Sequence, residues 1–218
     1  MEIKWYGHAS FRITTENGTR IIIDPYEPEF KDGLLTYGRI EEEADIVVTS
    51  HGHGDHGYTK DIRGTFELIE KEGAFSLRGT AVRTFPTFHD NARGTARGEN
   101  LVTVIAADGL TVAHLGDLGH ALDEEARRKM GPVDILLVPV GGLYTIDAAT
   151  AAQVMKDIGP AITIPMHYRT AKCQFPITGV EEFTRGKKNV RLSEQSALTI
   201  TKETLPREPE IVVLRHAL

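Results

Sequence analysis

The sequence predicts a mixed α/β protein built on two sheets. The chain opens with short alternating strands joined by tight turns, and its second half alternates helical patterns with apolar runs. Several of those runs, Ile21-Ile22-Ile23 and Ile46-Val47-Val48 among them, are apolar at every position and need cover on both faces.

Ile3 and Trp5 alternate with Glu2 and Lys4, and Phe11 and Ile13 alternate with Ser10, Arg12 and Thr14, so each stretch reads as a strand with one wet face. Gly7-His8 is the tight link between them. Asn17-Gly18 is a hairpin signal, and Ile21 to Ile23 is a buried strand ended by Asp24-Pro25. Residues 25–39 hold two prolines, two glycines and three aromatics expected at the surface, Tyr26, Phe30 and Tyr37. They read as a loop, either a lid or a plain surface connection. Residues 58–63 suggest a helical turn. Short strands punctuated by Gly73 and Gly79 fill residues 65–88, and Asp108-Gly109 turns between strands at 101–107 and 110–115.

Asp123 can cap a helix with Glu124 and Glu125 in its first turn and Arg127, Arg128 and Lys129 in its last, where each charge complements the macrodipole. Gly131-Pro132 stops it. Residues 135–140 are a buried strand. Asp147 can cap a second helix whose face is Ala151, Val154, Met155 and Ile158, ended by Gly159-Pro160. Residues 161–166 form another buried strand, residues 180–184 a short helix, and residues 197–201 and 211–214 closing strands.

Length and composition bound the function. The chain has 218 residues, 40% hydrophobic and 26% charged, as expected of a globular protein in water. The formal charge of −6 disfavours a constitutive nucleic-acid binder. A single cysteine, Cys173, excludes an intrachain disulfide. No apolar run approaches the ~20 residues of a membrane span, and the first residues show no signal pattern. A cytoplasmic protein with no membrane partner is the expectation.

The chemistry is concentrated in His51-Gly52-His53-Gly54-Asp55-His56, which follows the strand Ile46 to Val48. Three imidazoles and a carboxylate at a strand end are good ligands for zinc, iron or manganese. Gly52 and Gly54 let the backbone bend so that the side chains converge. His51 and His53 can reach one ion, and Asp55 and His56 a second. The competing reading is a solvated His-rich loop, but this tract is internal and strand-linked.

His-x-His-x-Asp-His after an apolar strand resembles the signature of the metallo-β-lactamase superfamily. Further stretches resemble its branch of small metal-dependent hydrolases that includes the ascorbate-phosphate lactonases: residues 5–10 (WYGHAS), 114–120 (HLGDLGH), 138–142 (VPVGG) and 164–168 (IPMHY). The resemblance runs nearly full length. It implies an αββα sandwich, one domain over residues 1–218, with the site at one edge between the sheets. It implies that His51, His53 and His89 hold a first metal, that Asp55, His56 and His167 hold a second, and that Asp117 bridges them. Two zinc ions are expected, with manganese or iron as alternatives.

A pair of ions ~3.5–4 Å apart, holding a hydroxide, would make the protein a hydrolase of an ester-like bond: lactone, carboxylic ester or phosphodiester. Asp55 is the expected ligand and proton acceptor. His8, in the first hairpin, either faces the site or is a hydrogen-bonded turn residue. His120 is either a group that supports the ligands from behind, a proton shuttle or a helix cap, His114 is structural, and His216 has no expected role. Asp24 resembles a carboxylate that braces the metal loop. Gly141-Gly142, with Tyr144, Tyr168 or Arg169, is a candidate anion contact.

Several rivals are set aside on the pattern. Asp117 stands where the commonest β-lactamases carry cysteine. His53 stands where flavodiiron-type reductases carry glutamate. Neither a C-terminal helical domain of the thiolesterase kind nor an RNA-binding insertion is evident. A small-molecule or phosphodiester substrate is expected. The alternatives are a metal-binding sensor or interaction module on the same fold, or a nuclease-type phosphodiesterase. A homo-oligomer is left open.

Overall fold

A computed structural model describes residues 1–218. The first strands form as their alternation predicts. β1 (Glu2–Gly7) pairs with β2 (Ser10–Thr14), setting Ile3 opposite Ile13 and Trp5 opposite Phe11, and β2 pairs with β3 (Arg20–Ile23). From β3 the sheet turns parallel through β4 (Ile46–Val48) and β5 (Glu67–Ile69). With β13 (Ala197–Thr199) on the other edge, the order is β13-β1-β2-β3-β4-β5.

The second sheet begins antiparallel with β6 (Gly73–Leu77), β7 (Thr80–Phe88), β8 (Glu99–Ala107) and β9 (Leu110–His114). It continues parallel through β10 (Ile135–Pro139), β11 (Ile162–Met166) and β14 (Glu210–Val213) to the edge strand β12 (Val190–Leu192). That edge strand is absent from the sequence reading, since Arg191 and Leu192 are exposed and carry no burial pattern.

The inner faces of the sheets meet in one core that includes Ile3, Trp5, Phe11, Ile13, Ile23 and Val48 from the first and Val82, Val102, Ile135 and Leu137 from the second. Helices α2 (Glu124–Met130), α3 (Ala148–Ile158) and α4 (Val180–Thr184) follow in the second half; α2 and α3 are capped as predicted, with the Asp123 carboxylate accepting from Ala126 N and that of Asp147 from Thr150 N. Ala151 and Val154 of α3 are buried in the same core. No helix is long and apolar enough to cross a membrane.

The outer face of the first sheet is covered differently. Tyr6, Ile22 and Val47 point away from the main core into a second cluster with Tyr26, Leu35, Tyr37, Ile62, Cys173 and Phe175. This outer layer is mostly loop: prolines 25 and 28 and glycines 33 and 38 deny it a long helix, and only one left-handed turn, α1 (Phe30–Gly33), forms. The expectation that Tyr26 and Tyr37 lie at the surface is therefore corrected: both are buried, because the sheet face needs cover and no helix supplies it. Residues 58–63 are turns and a bridge rather than a helical turn.

Parallel pairing in both sheets brings the carboxyl ends of β3, β4, β9 and β11 to one edge of the sandwich. In open α/β sheets the crevice outside such strand ends is where ligands bind.

Candidate metal centre

β3 ends at Asp24, whose buried carboxylate organises the neighbouring loop. It accepts from Ser50 N at 2.6 Å, from Ser50 Oγ at 2.7 Å and from His56 Nδ1 at 2.8 Å. Because Ser50 gives its proton to Asp24, its oxygen accepts from His51 Nδ1 at 2.9 Å. The two histidines are thereby left with Nε2 facing inward. The loop closes on itself through His56 N and Gly57 N, both donating to His53 O. A Cβ on Gly54 would lie 2.5 Å from the Phe30 ring, so the ring packs against this glycine and would have to shift for any larger residue.

The downstream residues arrive at the same point. His89 follows β7 and donates Nδ1–H to Tyr144 O at 3.1 Å, again turning Nε2 inward. Asp117 follows β9. Its N–H donates to Asn100 Oδ1 at 2.8 Å, and Asn100 Nδ2 donates to Leu115 O and Thr87 Oγ1. Gly119 N donates to Phe88 O, and a Cβ on Gly119 would stand 2.3 Å from the His89–Asp90 backbone, so only glycine lets these two ligand loops touch. His167 follows β11 at φ 51°, with its N–H donating to His8 O at 3.0 Å.

Asp117 stands at the centre. One carboxylate oxygen lies 3.1 Å from both His56 Nε2 and His89 Nε2 and 4.0 Å from His51 Nε2; the other lies 3.3 Å from His167 Nε2. Around it the donor atoms fall into overlapping groups: His51, His53 and His89; His8, Asp55, His56 and His167; and His51, His56 and Asp117. All seven sequence-predicted ligand positions are thus brought together, and His8 joins them, buried and with Nε2 3.4 Å from the Asp55 carboxylate.

The electrostatics fit a cation. Burial, reinforced by His56, pushes His51 down to about 3, and burial with His167 pushes His8 down to about 4, so both are neutral donors at neutral pH. Burial would raise Asp117, but His167 and His56 outweigh it and hold the carboxyl well below its usual range. Burial likewise opposes charge on His56, yet Asp117 and Asp24 on either side push it up. A metal ion would supply the positive charge that those carboxylates favour. His8 Nδ1 and Nε2, His56 Nε2, Asp117 Oδ1 and His167 Nδ1 are buried without a hydrogen-bond partner, a cost that ion binding relieves for inward-facing donors.

Other expected residues lie elsewhere. His120 is not at the centre: Nε2 accepts from Phe88 N at 3.2 Å and Nδ1 donates to Ala121 O at 2.8 Å, so both nitrogens brace backbone and neither is left to shuttle a proton. His114 is structural as read, bonded to Ala9 O and Gly116 N. Gly142 N donates to Ile146 O, and neither Gly141 nor Gly142 lines the cleft, which corrects the anion contact expected of that pair. Tyr168 packs on Trp5 in the core, and Arg169 is outside the cleft. Tyr144 does line it.

The cleft over the centre is small, about 220 Å³. Its floor includes His53, Asp55, His89, Asp117 and His167, and its walls are Phe30, Lys31, Arg97, Tyr144 and Phe175. The segment 25–39 forms part of the roof and is tied down: Leu35 bridges to Cys173, Gln174 N donates to Leu34 O, Thr36 N donates to Lys172 O, and Tyr37 Oη bonds Thr170 Oγ1 at 2.7 Å. Asn100, Lys31, Arg97 and Phe175 are absent from the sequence reading.

A model of the beta-lactamase superfamily domain matches residues 2–167. Curated relatives include a UPF0173 metal-dependent hydrolase of Carboxydothermus hydrogenoformans, 31% identical over 78% of this chain and 85% of the relative. Another, from Pelotomaculum thermopropionicum, is 33% identical over the same shares. A crystal structure from Thermotoga maritima, provisionally described as a Zn-dependent hydrolase of the metallo-β-lactamase superfamily, superposes with a TM-score of 0.82 at 33% identity, covering 98% of this chain and 97% of that one.

Proposed function

The chain belongs to the metallo-β-lactamase superfamily and is a metal-dependent hydrolase, and from that premise we propose that it holds two divalent ions and cleaves an ester-like bond, a lactone, carboxylic ester or phosphodiester, in a small substrate. The observation that carries this reading is the central Asp117 carboxylate, with one oxygen against His56 and His89 and the other against His167. One carboxylate facing both donor sets is what a shared pair of ions requires.

His51, His53 and His89 would hold one ion, Asp55, His56 and His167 the other, and Asp117 both. Zinc in such a site would lower the pKa of water to about 7 and polarise the scissile group. The protein's part is orientation and proton handling. Asp24, Ser50 and the Tyr144 carbonyl fix which ring nitrogen faces inward. Asp55 lines the cleft, with His8 Nε2 3.4 Å behind it, and would accept the proton released when water attacks. Phe30, Tyr144 and Phe175 limit the water that reaches the floor.

The test is a panel of lactones, aryl esters and phosphodiesters assayed with Zn²⁺ and with Mn²⁺. Chelator-sensitive turnover of at least one class is expected. A protein that binds two ions and cleaves none of them would instead fit a sensor.

A further inference from the structure

Lys31 and Arg97 are the only lysine and arginine lining the cleft, and neither is in an ion pair. That is notable in a chain whose acids outnumber its bases by 31 to 25. Both cations are held by aromatic faces instead. Lys31 Nζ lies 5.4 Å from the Phe30 ring centroid, 5.6 Å from Phe175 and 5.8 Å from Tyr144, and the Arg97 guanidinium lies 5.6 Å from Tyr144. A ring face orients a cation without neutralising it, so the positive charge remains available to a ligand.

The backbone under each cation is also fixed. Asp90, next to the ligand His89, accepts from Ala92 N, Gly94 N, Ala96 N and Arg97 N at 2.7–3.0 Å and so ties the loop carrying Arg97 to the metal centre. Lys31 sits in a left-handed turn, with Glu29, Lys31 and Asp32 all at φ between 50° and 58°. Such backbone is costly for residues with a Cβ and persists where surrounding contacts impose it. Here the Phe30 ring against Gly54 and the Leu35 bridge to Cys173 are those contacts.

We propose that Lys31 and Arg97 are specificity-determining residues that clamp an oxyanion, carboxylate or phosphoryl, carried by the substrate beyond the bond that is cleaved. This rests on the hydrolase reading above. The scissile group meets the floor of histidines and carboxylates, whereas the two cations face it from the wall, so the charge they read lies on a different part of the molecule. Tyr144, shared by both cations, offers its ring to the apolar or planar portion between.

The experiment compares three matched aryl acetates: 4-acetoxybenzoate, 4-acetoxyphenyl phosphate and the uncharged methyl 4-acetoxybenzoate. Wild-type kcat/KM is expected to favour the anionic esters at least tenfold, and the larger of the two anionic ratios names the oxyanion. In the Lys31→Gln/Arg97→Gln double variant the anionic-to-neutral ratio should fall at least tenfold, through KM rather than kcat. An equal ratio in wild type, or one that the double variant leaves unchanged, overturns the clamp while the hydrolase reading stands. If none of the three esters is cleaved, calorimetric titration of metal-loaded wild type and double variant with benzoate and phenyl phosphate decides. At least tenfold weaker binding to the variant supports the clamp without the hydrolase reading, and equal binding overturns it.

Discussion

The two donor sets differ in how they are held. The set His51, His53 and His89 is the more open, with His53 exposed and His51 half-buried although His89 is buried, whereas His8, Asp55, His56 and His167 are all buried. In the open set, His51 and His89 have their outward nitrogens bonded to protein, through Ser50 and the Tyr144 carbonyl. In the buried set only His56 is braced in this way, by Asp24; His167 Nδ1 and both His8 nitrogens have no hydrogen-bond partner. Those two rings are fixed by packing, with centroids 4.1 Å apart. Hydrogen-bonded orientation therefore does not follow exposure: the exposed His53 meets only His51 Nε2 through its Nδ1, at 2.9 Å, while the buried His89 and His56 are pinned by protein groups.

The largest effect should come from the residue that belongs to both sets. Asp117→Ala leaves two cations with no shared carboxylate to offset their repulsion. Turnover should fall by orders of magnitude and metal content should drop, while circular dichroism stays native. Near-normal turnover in the folded variant would break the idea of a shared centre.

Asp24→Asn comes next, because Asp24 braces one histidine of each set, His56 directly and His51 through Ser50. Loss of such an outer partner costs roughly 10–100-fold in metal affinity. Competition with a fluorescent chelator should show both ions weakened. Weakening of one ion alone would mean that the Ser50 relay does not orient His51.

The pair His89→Ala and His114→Ala sharpens the comparison further. His89→Ala should lower metal content. His114→Ala should leave it intact and cost about 1–3 kcal/mol of stability in denaturant titration, since Ala9 O and Gly116 N lose a buried partner. The reverse outcome would place the wrong histidine of that edge at the centre.

The open and buried sets were not equally legible in the sequence. The first cluster followed from a strand end, because an apolar run marks a buried strand and the residues after it emerge at the sheet edge. That logic located the cluster from His51 to His56, whereas His89, Asp117 and His167 came from the resemblance to the superfamily pattern, each after an apolar run. It could not resolve His8, whose approach depends on the left-handed link between β1 and β2 and on the contact with His167. It left the role of His120 open, and the ring proves to brace the backbone beside His89 through Phe88 N, 32 residues away, rather than to carry protons. The outer layer was the least legible: Tyr26 and Tyr37 lie in a loop-like stretch, and their burial comes from a sheet face that no long helix covers. Lys31 and Arg97 have no local signature, and only the packing of both segments around Tyr144 brings them together.

The most direct measurement is the metal content of protein purified without chelator, by elemental analysis, repeated after titration with Zn²⁺ and Mn²⁺. Two donor sets around one carboxylate predict about two ions per chain. A folded protein that carries no transition metal and takes up none of those offered would contradict the centre described here.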